Sequence, residues 1–237
     1  MKFIVISKGR ANSVYGKTLR LVPDALVCVA ESEAKDYRKA LPAFKIITHP
    51  DDVVGIGPLR NWVTTNVSDG TCIMLDDDIS CVYDQSQLRK IRIEDPQHCM
   101  AILERTAIVA QEAKVRLFGY TQMARPLAYK PFEPISLSTW MGGVVGVNGK
   151  DPIWDESLLL RADIDACLRS IMKDRIVLVD SRYCWIHARF EGKGGNNTLR
   201  SSARHQAEIG RLLLRWGRYL KVKKEKGTTR LVIRVVR

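Results

Sequence analysis

Three consecutive aspartates, Asp76, Asp77 and Asp78, follow the apolar segment 71–75 in the first half of the chain. An apolar run of this length is typical of a buried strand, and a strand places residues i and i+2 on the same side. Asp76 and Asp78 are therefore expected to point together into a crevice at the strand's carboxyl end, where open α/β sheets bind ligands. Carboxylate oxygens suit Mg²⁺ or Mn²⁺ carrying a diphosphate, so the motif predicts such a metal site. The alternative is an acidic turn that only closes the strand.

A basic loop, Ser7-Lys8-Gly9-Arg10, follows the first apolar segment of the chain. A hydroxyl and two cations at a strand-to-helix junction can hold the phosphates or the base of a nucleotide, because helix N-terminal amides and cationic side chains attract anions. The chain lacks a GxxxxGK[ST] loop and a GxGxxG turn after a strand, which argues against a kinase-type or dehydrogenase-type nucleotide site. The alternative is an ordinary basic turn.

Arg60 and Asn61 stand in the first turn of a predicted helix that begins at Gly57 and Pro58. Such a turn directs hydrogen-bond donors towards a ligand. The strand that ends in Asp76 follows within about one helix length, so we expect Arg60 and Asn61 to share the crevice of the aspartates.

Strands and helices alternate through the first half of the chain, which predicts an α/β fold with a mostly parallel central sheet flanked by helices. The second half is expected to end with a basic helix and a strand. The predicted strands are 2–7, 25–30, 44–48, 71–75, 115–119, 143–147, 176–179, 182–187 and 229–236. The predicted helices are 12–20, 32–41, 57–67, 96–113, 162–173 and 198–220.

The composition is that of a globular protein, since 46% of the 237 residues are hydrophobic and 27% are charged. This length is sufficient for one large core, and no linker divides the chain. No apolar stretch approaches the roughly 20 residues that cross a bilayer, and the apolar segment 1–6 is too short for a signal peptide. We therefore expect a cytoplasmic protein without a membrane partner. The cysteines form no CxxC pair and are expected to be reduced packing residues: Cys28, Cys72, Cys81, Cys99, Cys167 and Cys184.

The net charge of +12 is concentrated at the carboxyl-terminal end of the chain. Residues 1–181 contain 23 basic and 23 acidic residues, whereas residues 182–237 contain 15 basic and 3 acidic residues. Such a segment suits a phosphate backbone, because each neutralised phosphate releases counterions. The alternative is a solvated helix and tail. The residues expected to contact nucleic acid are Arg204, Arg211, Arg215, Arg218 and Lys221.

In their order and spacing, the SKGR loop after a strand, the LRN helix entry and the MLDDDI strand end resemble a GT-A nucleotide-sugar glycosyltransferase. More narrowly, about residues 1–200 are similar to phage-type, TET-associated glycosyltransferases, which are thought to decorate hydroxymethylated bases in DNA. The resemblance implies one GT-A-like, Rossmann-related domain over residues 1–237, with a nucleotide-binding half (1–120), an acceptor half (121–197) and a basic extension (198–237). It implies transfer of a sugar from a nucleotide sugar, in the first place a UDP-sugar, to a hydroxyl. The implied cofactor is Mn²⁺ or Mg²⁺, and the implied acceptor is a hydroxymethylated pyrimidine in phage DNA.

The resemblance also assigns donor and metal roles by position. Asp76 and Asp78 match the DxD motif that binds the donor ribose and the diphosphate metal, and Asp77 lies between them on the donor side. His187 ends a later predicted strand, where the family often places a third metal ligand; the alternative is a structural histidine. Glu31, after the second predicted strand, matches an acidic residue that contacts uridine, with helix capping as the alternative.

Asp163 and Asp165 open a predicted helix after Trp154 and resemble the acceptor-side helix of GT-A enzymes. One carboxylate could act as the base that takes the acceptor proton. The two residues point about 200° apart on an ideal helix, so we expect only one, preferably Asp163, to face the substrate. The alternative is a favourable charge at a helix N-terminus, which either residue would supply.

Two glycine-rich segments complete the resemblance. Gly142 and Gly143 resemble a turn that lets the donor sugar lie close to the backbone, and segment 192–197 resembles a loop that could close on the diphosphate. Either segment can instead be a plain turn.

Two other functions fit parts of the sequence. A nucleotidyltransferase shares strand-borne aspartates, but it usually has a Gly-rich loop with a signature lysine that SKGR matches only in part. A nucleic-acid-binding protein on a degenerate transferase scaffold would keep the basic tail and show no metal-dependent donor binding.

Overall fold

The computed structural model describes residues 1–187, 201–225 and 228–235. The predicted loop at 192–197, the start of the predicted helix at 198–200 and position 236 of the last predicted strand lie outside the described residues. The strands are β1 Lys2–Ile6, β2 Leu26–Ala30, β3 Ile46–His49, β4 Thr71–Asp76, β5 Ile79–Asp84, β6 Ile91–Ile93, β7 Leu117–Thr121, β8 Ile135–Ser136, β9 Val144–Asn148, β10 Leu178–His187, β11 Leu220–Glu225 and β12 Thr228–Ile233. The helices are α1 Ala34–Ala40, α2 Ile56–Asn66, α3 Pro96–Glu112, α4 Ala162–Asp174 and α5 Ser202–Trp216.

The central sheet of the described chain has the strand order β3-β2-β1-β4-β9-β7-β10-β5-β6, with β8 paired to β10. Strands β1 to β4, β6, β7 and β10 run in one direction, whereas β5, β8 and β9 run in the other. The prediction of a mostly parallel sheet in an α/β fold is therefore confirmed. Strands β11 and β12 form a separate antiparallel hairpin.

Helices cover both faces of the sheet, which explains why its central strands are apolar along their whole length. Ile4 and Val5 are neighbours in β1 but belong to opposite hydrophobic clusters, because successive strand residues point to opposite faces. The cluster around Val5 includes residues of α1 and α3, and the cluster around Ile4 includes residues of α2, α4 and α5. The candidate functional site lies at the strand ends between these two helical layers.

The predicted helix at 12–20 is instead a turn followed by a distorted π-helical turn at Tyr15–Leu19, in which Lys17 leaves the helical conformation. This segment has a specific partner. Thr18 Oγ1 donates to the Asp76 carbonyl at 2.7 Å and accepts from the Ile79 amide at 3.0 Å. The irregular segment therefore fixes the backbone of the turn at Asp76, Asp77 and Asp78, which is called the aspartate turn below.

Three further elements differ from the predictions. The antiparallel hairpin formed by β5 and β6 was not predicted, and the two strands expected at 176–179 and 182–187 are one strand, β10, with an irregular register between Asp180 and Cys184. Within the described residues, the predicted helix at 198–220 ends at Trp216 and passes through a 3₁₀ turn at Gly217–Tyr219 into β11.

All six cysteines are buried and free, as expected for packing residues. Among the described helices, none is both long and apolar enough to cross a lipid bilayer.

Candidate active site

A cleft of about 670 Å³ lies at the carboxyl ends of β1 and β4, where β10 also ends. Its lining comes from the loops after these strands and from residues of α2, α4 and α5. Carboxyl ends of parallel strands meet at one edge of a sheet, which is where open α/β folds bind ligands.

Asp76, Asp78 and His187 meet at the base of this cleft. The His187 Nδ1 atom lies 3.1 Å from Asp78 Oδ1 and 3.7 Å from Asp76 Oδ2, and one ligand atom from each residue lies within 4.8 Å of the others. The antiparallel pairing of β10 with β5 brings His187 opposite Ile79, next to the aspartates. Two carboxylates and an imidazole are a suitable donor set for a divalent cation such as Mn²⁺.

The surroundings of Asp78 favour its ionised form. Burial opposes its ionisation, but the hydrogen bond and charge of His187, with Arg10, outweigh this effect and lower the pKa of Asp78. Burial raises the pKa of Asp76, although His187 and Arg60 act against that shift. At neutral pH we therefore expect Asp78 to be ionised.

Gly142 and Gly143 make room for the side chains of Asp163 and His187. Gly143 has a φ of +76°, and a Cβ atom there would overlap the ring of His187. A Cβ atom at Gly142 would lie 2.8 Å from Asp163 Oδ2. The Gly143 carbonyl also accepts a hydrogen bond from the Asp76 amide at 2.8 Å, so the glycine turn is attached to the aspartate turn.

Asp77 points towards the loop at residues 7–10, which follows β1 and is called the first loop below, and its contacts fix the shape of that loop. Ser7 Oγ donates to Asp77 Oδ2 at 2.6 Å, and the Arg10 guanidinium forms an ion pair with Asp77 Oδ1. The Tyr37 hydroxyl lies 2.6 Å from Ser7 Oγ and accepts from the Arg10 amide at 2.9 Å; burial raises its pKa to about 12. This network holds Arg10 Nη1 at 3.6 Å from Asp78 Oδ2, while Lys8 is exposed at the cleft.

Arg60 connects the aspartate turn to α4. Its side chain is 1% exposed and pairs with Asp163, and its Nη2 atom lies 3.4 Å from Asp76 Oδ1. Its guanidinium lies 5.7 Å from the centroid of the Trp154 ring, whose Nε1 donates to Asp163 Oδ1 at 3.1 Å. Asp163 Oδ1 is therefore held in place, whereas Oδ2 has no hydrogen-bond partner among the described residues and lies beside Gly142.

Asn61 and Asp165 lie outside the cleft lining, unlike their sequence-predicted roles. The Asn61 amide donates to the Trp154 carbonyl at 2.9 Å and accepts from the Ile153 and Trp154 amides at 3.0 Å, so it supports Trp154. Asp165 is fully buried on the other side of α4 and accepts from Trp216 Nε1 at 2.7 Å and Arg215 Nη1 at 2.9 Å. Its contacts join α4 to α5.

The acidic residues near the first loop also differ from expectation. Glu31 is exposed in a 3₁₀ turn and is absent from the cleft lining. Glu33 instead accepts from the Gly9 amide at 2.8 Å, and Asp51, after β3, lines the cleft and accepts from Ser32. Sequence reasoning missed Glu33 and Asp51, although Asp51 follows the end of β3 by two residues, and an acidic residue close to a strand end is a signal that could have found it.

Helix α5 is attached to the cleft by Glu208, another residue that sequence reasoning missed. This buried carboxylate accepts hydrogen bonds from the amides of Leu159 and Leu160 at 3.0 Å and of Arg161 at 2.9 Å. These amides precede α4, and an anion is favourable at a helix N-terminus. The α5 residues that line the cleft are His205, Gln206 and Ile209.

Two of the predicted nucleic-acid contacts are engaged within the protein. Arg211 donates to Ser157 Oγ at 2.7 Å, and Arg215 pairs with Asp155 at 2.7 Å and with Asp165. The other three differ in setting: Arg204 is exposed in the first turn of α5, Arg218 lies over the Tyr219 ring at 4.7 Å, and Lys221 is exposed in β11.

The structure thus combines a mixed sheet with an acidic cleft at its strand ends. The family model for TET-associated glycosyltransferases matches residues 1–195. The chain belongs to that family, which confirms the resemblance seen in the sequence. Helix α5 and the β11–β12 hairpin lie beyond the matched residues.

The solved structures that are similar to this chain have low sequence identity to it. One is TarS 1-349 from S. aureus, with a TM-score of 0.47 and 12% identity over 78% of this chain and 60% of that chain. A second is the T. maritima inositol-1-phosphate CTP transferase, with a TM-score of 0.39 and 12% identity over 86% of this chain and 93% of that chain. This chain thus spans about 60% of the first of these structures. No curated protein matches the sequence significantly.

Proposed function

We propose that this glycosyltransferase moves a sugar from a nucleoside diphosphate sugar to the hydroxyl of a hydroxymethylated pyrimidine in DNA, with Mn²⁺ or Mg²⁺ as cofactor. The observation that carries the proposal is the cluster of Asp76, Asp78 and His187 in the same cleft as Asp163. A metal-ligand set and a candidate base in one cleft are what transfer from a diphosphate donor to a hydroxyl requires.

The donor diphosphate would lie between the acidic cluster and the first loop. When bound, a divalent cation at Asp76, Asp78 and His187 would stabilise the charge of the departing diphosphate. Lys8 is exposed at the cleft and Arg10 is held beside Asp78, so both cations could contact phosphate oxygens. Gly142 and Gly143 also line the cleft, so the sugar would lie near the backbone of this turn, beside the His187 and Asp163 side chains that the glycines admit.

Asp163 is the candidate base for the acceptor. Arg60 and Trp154 hold its Oδ1 atom, which leaves Oδ2 beside the cleft for a second partner. In an inverting transfer, Oδ2 would take the proton of the acceptor hydroxyl while that oxygen attacks the anomeric carbon. The bond between the anomeric carbon and the diphosphate would break in the same step.

The basic extension supports a polyanionic acceptor. Residues 198–237 carry 12 basic and 2 acidic residues, and Arg204 and Lys221 are exposed there. Arg211 and Arg215 would contribute by holding α5 against the cleft, since both are paired with neighbouring side chains. A polycation beside an active site raises the local concentration of a nucleic acid and makes its binding salt-dependent.

The test is mass spectrometry of nucleosides from hydroxymethylated DNA incubated with the protein, Mn²⁺ and a panel of nucleotide sugars. We expect a mass increase of one sugar on the modified pyrimidine, formed at least roughly a hundredfold more slowly with Asp78→Ala. If the sugar were transferred only to water or to another hydroxyl while the DNA in the reaction stayed unmodified, DNA would be refuted as the acceptor. Absence of any metal-dependent donor binding would indicate a nucleic-acid-binding protein on a degenerate scaffold.

A further inference from the structure

The segment between β7 and β9 leaves the cleft and returns to it. Gln122, just after β7, and Trp140, just before the glycine turn, both line the cleft. Between them only a 3₁₀ turn at Pro126–Ala128 and the two residues of β8 are regular. A connection of this length in a compact domain usually has a function of its own.

Between its two ends, which line the cleft, this loop exposes large apolar side chains to solvent. Leu127 is 94% exposed and Phe132 is 85% exposed, and with Leu214 of α5 they are the most exposed large hydrophobic residues of the described chain. Met123 in the same loop is also exposed. Exposed aromatic and aliphatic side chains grouped in one loop commonly mark a contact surface.

The exposure does not follow from a lack of structure in the loop. Gln85 Oε1 accepts from the Arg125 amide at 2.8 Å, and Gln85 Nε2 donates to the Ser181 carbonyl at 2.7 Å. On the other side, the Ser181 amide donates to the Pro134 carbonyl at 2.8 Å, and β8 pairs with β10. The fold therefore holds the apolar side chains out in water.

Cations occur in the same loop and in the turn to which Gln85 connects it. Arg125 is exposed and forms no ion pair with any residue that the structure describes, whereas Lys130 pairs with Glu133 at 3.0 Å. The β5–β6 turn, which Gln85 connects to the loop, adds the exposed cations Arg89 and Lys90. Apolar side chains between cations suit a nucleic acid, which offers phosphates outside and stacked bases inside.

We propose that residues 123–133 form a docking loop for DNA, in which Leu127 and Phe132 contact bases next to the acceptor while Arg125, Arg89 and Lys90 contact phosphates. This inference rests on the proposed function, because it takes DNA as the acceptor. A pyrimidine that enters the cleft must leave the base stack. Apolar side chains inserted at the vacated position stabilise such a displaced state.

The test uses the full-length protein, without donor, and a fluorescein-labelled DNA duplex with 2-aminopurine beside a hydroxymethylated cytosine. The double variant Leu127→Ser/Phe132→Ser is compared with Leu214→Ser, an equally exposed residue on α5. We expect wild type and Leu214→Ser to increase the 2-aminopurine fluorescence, which reports unstacking. The double variant should lose that increase and bind roughly ten- to hundredfold more weakly by anisotropy. All three proteins should unfold at similar temperatures, since the altered side chains lie in water.

The outcomes separate this inference from the proposed function. A double variant that binds and unstacks the duplex as wild type does would refute the docking loop, even if sugar transfer to DNA is observed. Failure of wild type to bind any DNA, with loop-dependent transfer to a protein or glycan, would refute both. Arg125→Gln should retain the fluorescence increase but flatten the salt dependence of binding by about 0.9 in log–log slope. An unchanged slope would remove Arg125 from the phosphate contacts.

Discussion

Glu208→Gln is expected to destabilise the protein strongly, although residue 208 lies beyond the part of the chain that the family model matches. The wild-type carboxylate is 4% exposed and accepts from three consecutive backbone amides, those of Leu159, Leu160 and Arg161. Glutamine keeps the size of the side chain but replaces one acceptor oxygen by an NH₂ group. At least one amide would then face a donor instead of an acceptor.

The size of the effect follows from these contacts. A hydrogen bond to a charged group contributes about 1.5–3 kcal/mol, and a buried donor left without a partner costs about 1–3 kcal/mol. We therefore expect a loss of roughly 2–4 kcal/mol in the free energy of unfolding, or about 4–16 °C in Tm for a chain of this size. Leu159 to Arg161 line the cleft, so transfer activity should fall as well.

Urea unfolding followed by circular dichroism would measure this change. Glu104→Gln is the matched control, because Glu104 is exposed on α3. The control should remain within about 0.5 kcal/mol of wild type. An equally small effect of Glu208→Gln would show that α5 is not attached to the cleft as described, and the contribution of α5 to the active site would then be rejected.

Three further predictions concern the aspartates. Asp78→Ala should abolish the Mn²⁺-dependent increase in Tm caused by UDP and slow transfer by roughly a hundredfold or more; a retained increase would exclude Asp78 as a ligand. Asp163→Asn should slow transfer without weakening donor binding, whereas Asp165→Asn should lower Tm, because Asp165 joins α4 to α5; normal turnover of Asp163→Asn would exclude it as the base. Burial opposes ionisation of Asp155, but the hydrogen bonds of Ser157 and Arg215 outweigh it and lower the pKa of Asp155 in the folded protein. Its contribution to the free energy of unfolding is therefore complete above about pH 4, and it is lost as the pH falls towards the pKa of the folded state. The difference in unfolding free energy between wild type and Asp155→Asn should therefore shrink below about pH 4, and a difference independent of pH would contradict this assignment.

The residues that sequence alone brought together are those at strand ends. The aspartate turn follows β4 and the basic loop follows β1, and parallel pairing of these neighbouring strands places Ile6 beside Asp76. The alternation of elements predicts that pairing, so a shared crevice could be expected from local patterns. The β5–β6 hairpin was missed because its short strands carry polar residues and follow an acidic turn.

Side chains on helices were harder to place, because their direction depends on how each helix rotates against the sheet. Asn61 follows Arg60 directly, yet Arg60 faces the aspartates while Asn61 faces the backbone of Trp154. A count of charges has a similar limit. It identifies a basic carboxyl-terminal segment, but it does not show that Arg211 and Arg215 already have partners.

Arg60 joins the two halves of the proposed reaction. Its buried guanidinium lies between Asp76, a proposed metal ligand on β4, and Asp163, the proposed base on α4. Burial raises the pKa of Asp76 and the charge of Asp163 adds to that shift, whereas the charge of Arg60 acts against it. A protonated Asp76 would be a poor metal ligand. In the proposed reaction, donor binding and acceptor activation therefore depend on the same buried cation.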